Sequence, residues 1–158
     1  MGGVRVGIAD HFGWAVAVTA SDDHEVVDRR RVELVEPGVT PAPIHYESGG
    51  LDEAATAALV AQVRASVGRA TTAALDELAA AAPGPIRSIS LRTWPEDFPT
   101  DLAVLRRVPY EARADAVMYR QVLAESARDR GWDIDLYVAK EVERQASARL
   151  GDRAHAVL

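Results

Sequence analysis

The stretch Val4-Arg5-Val6-Gly7-Ile8-Ala9-Asp10 is almost wholly apolar until it ends at a carboxylate. A short polar corner, His11-Phe12-Gly13, follows it, and a second apolar stretch runs from Trp14 to Ala20. Runs of this length predict buried strands, and the short corner favours an antiparallel return. We therefore expect a first strand that is covered on both faces and that places the carboxylate of Asp10 at a sheet edge.

The remainder of the chain predicts an alternation of strands and helices. Period-two patterns indicate strands, and apolar residues at three- and four-residue spacing indicate helices. The predicted elements are strands at 4–10, 14–20 and 25–35, a helix at 51–82, a strand at 86–93, a helix at 111–130, a strand at 132–139 and a short helix at 140–150. With right-handed crossovers, this order predicts one α/β domain over residues 1–158, with a five-stranded mixed sheet and helices on both faces.

Composition limits the function classes. Cysteine is absent, so a metal would be bound by carboxylate, histidine or carbonyl groups, which suit Mg²⁺ or Mn²⁺. No long apolar run and no secretory pattern is present, which predicts a cytoplasmic protein without a membrane partner. The net charge of −6 disfavours a broad nucleic-acid surface. The glycine motifs of nucleotide kinases, dehydrogenases and serine hydrolases are also absent.

Two features of the N-terminal half resemble a known superfamily. An aspartate closes the first strand, and Gly13-Trp14-Ala15-Val16 opens the second. Together with the order of elements, these residues resemble the ribonuclease H-like superfamily, in particular the Holliday-junction resolvase and its bacterial relatives. Residues 113–138 and the segment Ala139-Lys140-Glu141-Val142 also resemble a helix, the fifth strand and a helix start of that group. The resemblance covers most of the chain and implies a ribonuclease H-like fold.

The resemblance also implies a function, which is phosphodiester cleavage by carboxylates that bind two Mg²⁺ or Mn²⁺ ions. Asp10 matches the family's site directly and would be its principal ligand. The family's second carboxylate lies near the end of the fourth strand, where this chain has Ser88-Ile89-Ser90-Leu91-Arg92 and no acid. The candidate catalytic residues are Asp10, His11, His45, Glu47, Asp97 and Asp115, and the candidate metal ligands are Asp10, Glu47 and Glu141.

Several of these candidates have a plainer alternative. His11 and His45 have the chemistry of a general acid or base, but each also fits an ordinary turn or loop position. Asp115 lies near a predicted helix start, where a carboxylate favours the helix dipole. The alternative for Asp115 is an inward-facing acid paired with an arginine near the site.

The stretch from Arg92 to Pro99 follows a strand end, where α/β sheets place ligands. Trp94 and Phe98 have rings on which a nucleic-acid base stacks, and burial or a homodimer contact is the alternative. The clusters Arg29-Arg30-Arg31 and Arg106-Arg107 are either a basic groove or solvated surface. The candidate residues for binding nucleic acid or a partner are Arg92, Trp94, Phe98, Arg106, Arg107 and Arg113.

Two functional hypotheses follow from the sequence. The first is a nuclease or related phosphodiester-cleaving enzyme that depends on Mg²⁺ or Mn²⁺ and uses Asp10. The second is a catalytically inactive ribonuclease H-like module that binds nucleic acid or a protein. The missing acid of the fourth strand favours the second hypothesis, whereas the position of Asp10 favours the first.

Overall fold

A computed structural model describes residues 2–150, except the side chains of residues 145, 149 and 150. The strands are β1 (Val4–Asp10), β2 (Trp14–Ser21), β3 (Val26–Glu33), β4 (Ile86–Arg92) and β5 (Asp133–Tyr137). The α-helices are α1 (Glu53–Ala81), α2 (Leu102–Leu105), α3 (Ala114–Asp129) and α4 (Val142–Leu150). No helix within this range is both long enough and apolar enough to span a membrane.

The five strands form one mixed sheet in the order β3-β2-β1-β4-β5. β1 pairs antiparallel with β2 and parallel with β4, β2 pairs antiparallel with β3, and β4 pairs parallel with β5. The predicted α/β class and five-stranded mixed sheet are confirmed. The two long loops contain structure that the sequence did not predict, namely a π-helical turn at Pro43–Glu47 and helix α2.

The helices α1 and α3 pack against each other and against the same side of the sheet. The reason is topological: the crossovers from β3 to β4 and from β4 to β5 advance across the sheet in the same direction. Two crossovers of the same hand and direction must place their helices on one face. The prediction of helices on both faces is therefore wrong for these two helices, and α4 mainly contacts the turn at Ala139–Glu141.

The hydrophobic core lies between the sheet and these two helices. From β1, Val4, Val6 and Ile8 are buried, and they meet apolar residues of α1 and α3. The 29 residues of α1 begin at Glu53, and the side chain of the N-cap residue Asp52 accepts a hydrogen bond from the backbone N–H of Ala55 at 2.7 Å. This cap stabilises the first turn of the helix, whose free N–H groups otherwise lack partners.

The opposite side of the sheet is not covered by α1 or α3, and we call it the open face. It carries the alternate residues of each strand, including Arg5 and Ala9 of the central strand β1, both of which are exposed. The expectation that β1 is covered on both faces is therefore wrong. The apolar character of this strand comes from burial at Val4, Val6 and Ile8 and from small side chains at Gly7 and Ala9.

Candidate functional site at the carboxyl ends of the central strands

The carboxyl ends of β1 and β4 are the place where this fold would hold a ligand. The two strands pair in parallel from Val4 to Gly7, and beyond this point β1 pairs only with β2 while β4 pairs only with β5. The chain leaves β1 toward β2 and leaves β4 toward β5, so the connections diverge here. Such switch points form the crevice in which open α/β sheets bind ligands.

Asp10 lies at this point and is bound by an arginine of α3. The Nε atom of Arg120 lies 3.2 Å from Oδ1 and 3.1 Å from Oδ2 of Asp10. The two side chains are 3% and 10% exposed for the aspartate and the arginine, respectively. Arg120 also contacts the backbone oxygen of Thr93, which follows β4, at 3.5 Å from Nη1. The guanidinium therefore joins β1, α3 and the end of β4 and is bonded to both oxygens of the carboxylate.

The side chain of Tyr137, the last residue of β5, lies where β1 and β4 separate. Its hydroxyl donates a hydrogen bond of 2.6 Å to the carbonyl oxygen of Ile8, one residue beyond the part of β1 that pairs with β4. Burial raises the pKa of the Tyr137 phenol, and the nearby charge of Asp10 raises it further. The phenol thus stays protonated at neutral pH and remains a donor.

Arg120 and Tyr137 were not singled out from the sequence. A signal was available for Arg120, because it lies three residues after Val117 and four before Ala124, on the buried side of α3. A basic residue within an apolar stripe needs a buried partner. Tyr137 is the final residue of a short alternating strand, and that pattern alone does not indicate its contact.

Asp115 is buried, with 2% of its surface exposed, and it faces inward. Its two oxygens accept hydrogen bonds from the backbone N–H groups of Ile44 at 3.3 Å and His45 at 2.8 Å. These groups lie at the start of the π-helical turn, where N–H groups lack intrahelical partners. Burial raises the pKa of Asp115, and the bonds from His45 and Ile44 partly oppose this shift. Asp115 thus faces inward, as the alternative interpretation of the sequence has it. The partners of its carboxylate are backbone amides, however, and not an arginine.

The remaining acid and histidine candidates do not converge on Asp10. Glu47 accepts a hydrogen bond from Thr40 Oγ1 at 2.7 Å, and its buried Oε2 has no hydrogen-bond partner among the described residues. The exposed ring of His45 lies 4.7 Å from that of Tyr46. His11 stacks on Trp14, with ring centroids 4.1 Å apart.

Asp97 and Glu141 lie elsewhere. Asp97 lines a small cavity of about 170 Å³ beside Phe98, Tyr110 and Arg113. Glu141 follows β5 and pairs with Arg144 at 3.5 Å.

The candidate binding residues are largely engaged within the fold. Trp94 packs against the core, and Phe98 meets Tyr110 edge-to-face at 5.8 Å. Arg106 donates from Nη2 to the carbonyl oxygens of Ser48 and Leu51, both at 2.5 Å, and so fastens the loop before α1. The remaining members of the set are Arg107, which donates to the Ala103 carbonyl at 3.1 Å, and the exposed Arg92 and Arg113.

The residues present do not fit the two-ion centre that the resemblance implies. Within residues 2–150, no three histidine, aspartate or glutamate side chains are grouped so that they could hold a metal ion. Both oxygens of Asp10 are bonded to Arg120, so the residue that the resemblance would make the principal metal ligand is already neutralised. Comparisons with protein-family models, with curated proteins and with solved structures found no match.

Proposed function

We propose that this chain is a ribonuclease H-like domain that does not cleave phosphodiesters and acts as a protein-binding module. The observation that carries the proposal is the buried ion pair between Asp10 and Arg120. The pair lies where the resemblance would place the principal metal ligand. A carboxylate in this position supports hydrolysis only when it is free to bind a cation.

The energetics of the pair support a structural role. A divalent ion at Asp10 would have to displace the guanidinium, because two cations repel each other at hydrogen-bond distance from one carboxylate. Displacement would leave Arg120 buried without a counter-charge, and breaking such a pair costs about 3–5 kcal/mol. The fold therefore opposes metal binding at this carboxylate.

A protein is the favoured partner over a nucleic acid. The chain has a net charge of −6, and non-specific nucleic-acid binding requires a basic surface. Trp94 packs against the core and Phe98 against Tyr110, so these rings do not form a platform for stacked bases. Arg106 is bonded to backbone carbonyls and is not free to contact phosphates.

The proposal is tested by incubating the protein with branched DNA, single-stranded DNA and RNA in the presence of Mg²⁺ or Mn²⁺. We expect no cleavage by the wild type or by Asp10→Asn, and no shift of the thermal unfolding midpoint on addition of Mn²⁺. Asp10→Asn should unfold at a lower temperature with or without the ion, because it weakens the pair with Arg120.

Asp97→Asn is a suitable control, because Asp97 is an exposed acid of the same candidate set that forms no part of this ion pair. The proposal is wrong if metal-dependent cleavage is observed and disappears in Asp10→Asn while the unfolding midpoint stays unchanged.

A further inference from the structure

The open face of the sheet is uncovered at its centre. Ala9 is exposed although it lies on the central strand, and a β-carbon built on Gly7 would meet nothing closer than the Val18 carbonyl oxygen at 4.0 Å. Central strands of α/β sheets that carry parallel pairs are normally covered on both faces. Within residues 2–150, α1 and α3 lie on the other side and α4 mainly contacts the turn before it.

The strand register gives the open face an ordered pattern of charge. The row through the middle of the sheet consists, from β5 to β3, of Asp135, Ser90, Gly7, Val18 and Arg29. One edge is thus acidic, the centre is small and uncharged, and the other edge is basic. Asp133 extends the acidic edge, whereas on the basic edge Arg31 is paired with Glu33 of the same strand at 2.9 Å, so Arg29 is the basic residue that the proposed contact uses. These charged side chains are all exposed.

This pattern is complementary to itself. A two-fold axis that runs parallel to β1, between two stacked sheets, places the β5 edge of each copy over the β3 edge of the other. Asp135 then faces Arg29 of the second copy, and the same contact recurs by symmetry. Gly7 faces Gly7, so two sheets can approach to about 10 Å, as in face-to-face sheet packing. Arg5, in the next row toward the amino end of β1, faces Arg5 of the second copy across the same axis, and this one like-charge contact opposes the two contacts between Asp135 and Arg29.

We propose that two copies of this chain associate through their open faces to form a symmetric dimer. The second copy would be the protein partner of the proposed function, and in this respect the inference rests on that proposal. A two-fold axis perpendicular to the strands would instead place each acidic edge over another acidic edge. Charge therefore selects the orientation with parallel β1 strands, because like charges at an interface suppress binding.

The area of the open face agrees with a reversible dimer. Five strands about 4.8 Å apart and seven residues of about 3.3 Å each span roughly 24 by 23 Å, or about 550 Å² of plane per copy. Two copies bury about 1,100 Å², close to the lower limit of about 1,200 Å² for stable interfaces. We therefore expect a concentration-dependent dimer that weakens with added salt.

The test is analytical ultracentrifugation of four proteins over a range of concentrations. Wild type should dimerise, and the reversals Asp135→Arg and Arg29→Asp should each weaken the dimer by about 100-fold, since each creates two like-charge contacts. The double variant Asp135→Arg/Arg29→Asp should dimerise again, because both contacts are restored with exchanged signs. Recovery in the double variant also excludes misfolding as the cause of the single effects.

Asp129→Arg is the matched control, since it makes the same change of charge at an exposed position near the end of α3. Its dimer should be as stable as that of the wild type. A wild type that is monomeric at all concentrations overturns the inference, whether the open face is free or covered by the chain itself. A dimer that neither reversal weakens overturns it too. If no dimer forms, the proposal that the domain does not cleave phosphodiesters is unaffected. If a dimer forms and cleaves in the presence of metal, only the proposed function is refuted.

Discussion

Two regions of the described part of the chain bury a carboxylate, and they stabilise it in different ways. At the carboxyl end of β1, Asp10 is held by the guanidinium of Arg120. At the start of α3, Asp115 is held by two backbone N–H groups of the loop that precedes α1. Both acids lie where the sequence suggested catalysis, and both are bonded to neighbouring parts of the fold.

The difference between the two sites determines how each responds to change. An ion pair contains two charges, so the loss of either partner leaves the other charge buried without compensation. Backbone amides carry no net charge, so removal of the carboxylate that they bind leaves unpaired N–H donors but no unpaired charge. The Asp10 site should therefore be the more sensitive to mutation, and the Asp115 site should respond to proton concentration.

The largest effect is expected for Arg120→Met, which leaves Asp10 buried without a cation. The free energy of unfolding should fall by about 3–5 kcal/mol, measured by urea denaturation. The double variant Asp10→Asn/Arg120→Met removes both charges and should recover much of that loss. A loss below about 1 kcal/mol for Arg120→Met would show that Asp10 does not depend on this pair.

A smaller loss is expected for Asp115→Ala, which leaves the N–H groups of Ile44 and His45 unpaired. The free energy of unfolding should fall by about 2 kcal/mol. Asp52→Ala is the matched control, because it removes a carboxylate that caps α1 at an exposed position and should cost about 1 kcal/mol. Equal losses in the two variants would contradict a special role for burial at Asp115.

A loss of about 1 kcal/mol is expected for Tyr137→Phe. The change leaves the ring in place and removes the hydrogen bond to the carbonyl oxygen of Ile8. It tests whether the β1 end is held by the ion pair alone or also by this neutral contact. If thermal and urea unfolding are unchanged, the hydroxyl contributes nothing to closing the gap between β1 and β4.

The smallest effect is the dependence of stability on pH that arises from Asp115. Because burial raises its pKa, the folded protein keeps the proton at a higher pH than the unfolded chain, whose pKa is near 4. Between these two values the folded state binds more protons, so the free energy of unfolding falls as pH rises. The stability that the proton provides is fully present below about pH 4 and is lost above the raised pKa.

The measurement is the difference in unfolding free energy between wild type and Asp115→Asn from pH 4 to 8. The asparagine cannot titrate, so this difference should decline with rising pH and then become constant. A difference that grows with pH would mean that the pKa of Asp115 is lowered in the folded state.

Local patterns in the sequence were sufficient for most of the elements. β1 was predicted with its observed bounds, because seven largely apolar residues end at a charged one and a glycine corner. The length of α1 followed from apolar residues such as Val63, Val67 and Leu78, which recur on one helical face. The same patterns did not predict which face of the sheet the helices cover, since that depends on the order of strands in space.

The candidate site could not be completed from the sequence, because its contacts join distant residues. Arg120 and Asp10 are 110 positions apart, and Asp115 is 71 and 70 positions from Ile44 and His45. No local periodicity links such pairs. Asp10 could be identified as a carboxylate at a strand end. Whether that carboxylate is paired depends on Arg120, which lies on helix α3.

The sequence by itself determined the strands, the long helices and the absence of thiol chemistry, because these depend on neighbouring residues and on composition. Only the tertiary structure decided that both long helices share one face of the sheet, that neither of them covers the other face, and that Asp10 is paired with Arg120 and Asp115 with backbone N–H groups. The physical reason is that topology and the burial of charge depend on residues that are distant in sequence and close in space. A buried carboxylate must be paired or hydrogen-bonded there.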